Sequence, residues 1–191
     1  VGIQFQLPFR INIFAKTKQE NEVNSLNLQD TKTKIYLNDP STPSLFVEMQ
    51  VPKDTKLKIN AIGDFGGGFD FGTQQQQASA CKGMINNILT YLISKTPRQI
   101  NRWATTNTLV VITRAGKDIN AFYDRGSLKF FFFEDSTVSK TIFACDSRSV
   151  VCHEFGHAFL DIIRPDLWSI QASEVWAFHE AFGDIVSIIE N

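Results

Sequence analysis

The chain has 191 residues, 43% of them hydrophobic and 20% charged, which suits one globular domain with or without a small extra lobe and excludes a disordered polymer. A formal net charge of -1 and a pI near 6.3 give no electrostatic reason to expect nucleic acid or an anionic lipid surface as partner. No apolar run reaches the roughly 18 residues that a bilayer span needs, and the opening stretch VGIQFQLPFRINIF lacks the basic-then-apolar pattern of a leader.

The first seventy or so residues read as strands, at residues 3–14, 34–37, 45–51 and 56–62, where apolar and β-branched residues alternate or cluster. Polar stretches separate them, so residues 1–72 are expected to form a β-rich segment or lobe. GDFGGGFDFG, from Gly63 to Gly72, is a glycine-dense connection without the Gly-Lys-Ser/Thr ending of a phosphate loop. Its Asp64 and Asp70 are more simply solvated than cation-holding. Thr73 is positioned to cap a helix over residues 74–94, whose Met84, Ile88, Tyr91 and Leu92 share one face and whose four glutamines form the first turn. Strands follow at residues 108–114, 119–123 and 128–133, separated by turns at Gly116 and at DRGS.

Two helices close the chain. Residues 147–163 bury Val150, Val151, Phe155, Ala158, Phe159 and Ile162 and stop before Pro165. A second helix, with Ser173 as its cap, carries Phe178, Ala181, Phe182, Ile185 and Ile189 on an apolar stripe. Strands followed by segregated helices imply an α+β fold, with residues 73–191 as its second unit. Cys81, Cys145 and Cys152 are too few for a disulfide framework and read as buried free thiols.

The chemistry concentrates in CHEFGHAFLD, a His-Glu-x-x-His on the penultimate helix. Residues four apart on a helix differ by about 40° in direction and about 6 Å in height. His153 and His157 therefore project from one face and can reach one small cation, with neutral imidazole nitrogens suited to Zn²⁺. Glu154 lies one step round, where it can act as general base toward a water held there. A catalytic zinc wants a third protein ligand, and WAFHEAFGDI on the last helix offers Glu180. Asp184, four residues on, can accept the other ring N–H of His153 and fix its tautomer. His179 points about 100° away from Glu180, and Asp161 lies about 6 Å further along the axis than His157, so neither is counted as a ligand.

On SVVCHEFGHAFLD, HEAFGDI and INAFYDRGSLKFF the chain resembles the thermolysin-like zinc peptidases of the gluzincin group. The resemblance implies a zincin-like unit with a mixed or antiparallel sheet, Zn²⁺ held by His153, His157 and Glu180, catalytic Glu154 and orienting Asp184. It also implies that Asn120 and Ala121 belong to the edge strand that pairs with a peptide substrate. Three departures stand out: His179 replaces the usual asparagine, Ser149 replaces a calcium-binding aspartate, and the seven residues after Asp184 leave no counterpart of the helical C-terminal lobe. The expected function is zinc-dependent peptide-bond hydrolysis by an endopeptidase acting on a peptide or protein. The alternative is a catalytically incomplete zinc- or peptide-binding module. Compartment and oligomeric state are not legible.

Overall fold

A computed structural model describes residues 28–36, 46–52, 57–63, 70–97 and 99–190. The strand expected at residues 3–14 and the side chain of Asp64 lie outside them. The described residues form an α+β fold of eight strands and three long helices. Strands β1 (Leu28–Tyr36) and β2 (Phe46–Pro52) pair antiparallel by themselves. The main sheet takes β3 (Lys58–Ala61), β4 (Thr108–Ile112), β5 (Ala121–Tyr123) and β6 (Ser127–Phe130) in the order β3-β4-β6-β5. Its β3–β4 and β4–β6 pairs are parallel and β5 runs antiparallel to β6, so the sheet is mixed and β5 is its edge.

The run expected as one strand over residues 128–133 is broken at Phe131. That residue donates its N–H to the carbonyl of Asn120 and accepts from the N–H of Ala144, while Phe132 turns to the carbonyl of Gly116. Beyond the break, β7 (Phe132–Asp135) pairs with β8 (Lys140–Phe143) as a separate hairpin. Four consecutive phenylalanines carry no alternation that would reveal this change of partner.

Helix α1 (Gln74–Lys95) starts where expected, with the Thr73 side chain accepting from the Gln76 N–H at 3.2 Å. Met84, Ile85, Ile88, Leu89 and Leu92 are buried, whereas Tyr91 sits at the margin and is 45% exposed. The glutamine run has a tertiary role. Gln76 donates to the Lys34 carbonyl, and Gln77 donates to Asp146 at 3.2 Å while accepting from Arg114 at 2.9 Å. Both are buried, so these bonds supply partners for amides that burial would otherwise leave unpaired.

Helix α2 (Arg148–Ile163) is capped by Ser147, which accepts from the Val150 N–H at 3.4 Å. Its Val151, Cys152, Phe155, Ala158 and Phe159 enter the same core as α1 and the sheet residues Leu109, Val111, Leu128 and Phe130. Trp103 meets Phe155 edge-on at 6.3 Å and donates its indole N–H to the Lys58 carbonyl at 2.8 Å. Full burial of one such side chain is worth about 1.5–3 kcal/mol. The three cysteines are free and buried, as expected.

Helix α3 (Ser173–Glu190) departs from the sequence reading twice. Ser173 is its first residue and not its cap: the carbonyl of Ala172 takes the first N–H groups, and the Ser173 hydroxyl donates to Glu174. The face turned inward carries His179, Gly183 and Val186. Phe178, Ile185 and Ile189, three of the five residues on the expected apolar stripe, are between 44% and 53% exposed. Among the described residues, no helix is long and apolar enough to cross a membrane.

Asp146 yields a pH test. Burial pushes its carboxyl up to about 6, against the pull of the Gln77 hydrogen bond and of Arg114 and Lys140. A carboxyl whose folded pKa exceeds its unfolded value stabilises the fold at low pH, and that contribution is lost as pH rises through the folded pKa. Asp146→Asn is therefore expected to gain stability over wild type, on the order of 2 kcal/mol, between pH 4 and pH 7.5. Urea unfolding at the two pH values measures this, and a difference that does not widen with pH contradicts it.

Candidate metal centre

Helices α2 and α3 touch where both lack a side chain. A Cβ built on Gly156 would stand 2.8 Å from the Gly183 Cα, and one on Gly183 would stand 3.0 Å from the His153 ring. Each interior glycine costs a helix about 1 kcal/mol relative to alanine. In return the backbones approach closely enough for an α3 side chain to reach the α2 histidines. His153 and His157 lie on one face of α2, their rings 4.9 Å apart and nearly perpendicular. Glu180 meets both, with Oε2 3.2 Å from His153 Nε2 and Oε1 3.8 Å from His157 Nε2.

Donor atoms of His153, His157 and Glu180 all lie within 4.8 Å of one another. Ligands bound at zinc distances around a tetrahedral ion stand about 3.3 Å apart, close to the 3.2 and 3.8 Å that separate Glu180 from the two imidazole nitrogens. The protonation state of His157 fits as well. Burial, then the neighbouring His153 and His179, hold its pKa down at about 3, which keeps the ring neutral with a lone pair to offer. His153 behaves oppositely. Burial pulls its pKa down, but the Glu180 hydrogen bond and the charges of Glu154, Glu180 and Asp184 more than offset this and raise it. Three carboxylates around one imidazole make a site that favours positive charge. Asp184 Oδ1 lies 3.0 Å from His153 Nδ1, the orienting contact the sequence anticipated.

Glu154 is buried beside the cluster without joining it. Desolvation pushes its carboxyl up to about 7; His153 and the approaching backbone amide of Tyr123 pull it down, and Glu180 pushes it up. A carboxyl near neutrality can both take and return a proton.

Asn120 lies just before the edge strand β5 and Ala121 begins it. Asn120 is buried and serves the fold: its side-chain oxygen accepts from the Ala121 N–H at 2.9 Å, and its carbonyl accepts from Phe131 at 3.1 Å. Ala121's amide is thereby already engaged.

Two residues that the sequence set aside as ligands also lie around the site. His179 is fully buried between Trp168, Trp176 and His157, at ring separations of 5.9, 6.5 and 5.8 Å. Among the described residues neither of its nitrogens has a hydrogen-bond partner, and burial lowers its pKa. Asp161, set aside as too distant for a ligand, is fully buried and bound by Arg125 and by the Tyr123 hydroxyl. The signal for both was an ionisable residue on an inward helix face.

The glycine contact is testable. Gly156→Val is expected to keep the helical signal while weakening zinc binding by about 10- to 100-fold, the loss typical when support for a metal ligand is disturbed. Competition with a chromophoric chelator measures the affinity, and unchanged binding would show that the helix separation does not control the site.

Compared with family models and with curated proteins, the sequence matches none.

Proposed function

We propose that this chain is a zinc-dependent metallopeptidase that cleaves peptide bonds within a chain, in the manner of the thermolysin-like enzymes it resembles. One observation carries the reading: two imidazoles four residues apart and a carboxylate from the next helix converge, with a separate buried carboxyl beside them. His153, His157 and Glu180 would hold the ion, and Asp184 would keep His153 in the tautomer that presents Nε2. Zn²⁺ in such a site supplies a Lewis acid that acidifies a water and polarises the scissile carbonyl. Glu154 takes the proton of the attacking water and delivers it to the departing amine. Among the described residues β5 is an edge strand, its Tyr123 amide approaches Glu154, and its remaining outward backbone groups would take an extended peptide.

A second reading is a zinc- or peptide-binding module without catalysis. It is favoured by the openness of the α3 side, where the Asp184 side chain is 70% exposed, since catalytic electrostatics work best with water excluded.

The tests separate the two. Zinc-loaded protein is expected to bind one ion per chain and to cleave casein, with activity lost to a chelator and restored by Zn²⁺. Glu154→Gln should retain zinc and lose about 10²- to 10⁴-fold in rate, the usual contribution of a general base. His157→Ala should lose both metal and activity. Retained hydrolysis in pure Glu154→Gln defeats the mechanism, and full zinc occupancy without hydrolysis in wild type selects the binding module.

A further inference from the structure

Asp161 lies seven residues beyond Glu154 on α2, hence about 10.5 Å along the axis and only about 20° out of line. Both carboxylates therefore face β5 and the turn that follows it. The Asp161 side chain is fully buried, and Arg125 reaches it with two bonds, Nε to Oδ2 at 3.0 Å and Nη2 to Oδ1 at 2.8 Å. The Tyr123 hydroxyl adds a third at 3.1 Å. The same tyrosine turns its backbone amide toward Glu154. Strand and helix are thus stitched at two heights.

The backbone shows how firmly this is held. Arg125 has φ of 70°, in the left-handed region where a side chain is strained, although Gly126 stands next to it. Such a conformation persists when its surroundings fix it, and the surroundings here are the planar fork on Asp161 and the Trp168 ring 5.4 Å beneath the guanidinium. Its neighbour Asp124 closes the turn by accepting from the N–H and hydroxyl of Ser127, at 2.7 and 3.0 Å.

We infer that Arg125, acting through Asp161, is a positioning residue that sets the register of the β5 edge against the metal-binding helix, and so the place of an added peptide strand relative to Glu154. This inference deepens the peptidase reading and rests on it for its catalytic consequence. The guanidinium touches no metal ligand, so its loss should leave the ion in place. Misplacement of a bound reactant by about 1 Å can cost about 100-fold in rate.

For Arg125→Ala, zinc affinity is expected to stay within about three-fold of wild type, while kcat on a fluorogenic peptide falls about 10- to 100-fold. Guanidinium at millimolar concentration should restore part of kcat, and Arg125→Lys, which keeps the charge but not the fork, should behave like the alanine variant. Unchanged kcat, or zinc lost in parallel with activity, overturns the inference. A zinc-loaded wild type that cleaves nothing refutes the peptidase reading alone. The register is then read from amide hydrogen exchange: Tyr123 and Asp124 should exchange at least about 10-fold faster in Arg125→Ala with β4 unchanged, because local opening follows the loss of local contacts. Equal exchange overturns it.

Discussion

The absence of side chains at residues 156 and 183 sets the distance between two helices, and most of the site follows from that distance. With the backbones this close, a glutamate on one helix reaches nitrogens on the other; one added methyl would push the α3 backbone or the His153 ring aside. The contact also explains why α3 packs through a small, polar face. His179, Gly183 and Val186 fit against α2 because they are compact or flat, whereas Phe178 and Ile185 would hold the helices apart. Hydrophobicity alone pointed to the wrong face, since here shape decides the packing.

Helix α2 belongs to two environments at once. Phe155, Ala158 and Phe159 anchor it in the apolar core, while His153 and His157 look toward α3 and Glu154 and Asp161 toward β5. A helix enclosed on so many sides has little freedom to rotate, so side chains that must meet a small ion within a few tenths of an ångström inherit the rigidity of the core. Its electrostatics are unbalanced: Glu154, Glu180 and Asp184 gather around His153, the one imidazole there whose pKa is raised. A divalent cation would relieve that imbalance more fully than a proton, because it can bind both imidazoles and the carboxylate together.

Much of this was legible in the sequence because it is local. The helix start at Thr73 follows from a hydroxyl set before a periodic apolar run, and the shared face of His153 and His157 follows from helical pitch. Glu180 and Asp184 were readable as a pair at the same pitch. What escaped depends on partners distant in the chain. The parallel order of β3, β4 and β6 leaves no trace in any single strand, and the break at Phe131 is set by Asn120, Gly116 and Ala144. Asp161 read as a poor ligand candidate, and its real partner, Arg125, is 36 residues away. That the Asn120 side chain closes back on the next amide is likewise visible only in the fold.

The burial of Cys152 beside His153 gives the molecule a native reporter of its own breathing. Desolvation raises this thiol far above its ordinary pKa, so in the closed fold it is neither ionised nor reachable by an alkylating reagent. Modification can proceed only from conformations in which α2 has swung away from the core, and those same excursions dismantle the neighbouring imidazole pair. Slow alkylation at Cys152, resolved from that at the buried Cys81 and Cys145, therefore counts the openings of α2, and an ion held at the candidate site would make them rarer in proportion to its affinity for the closed form.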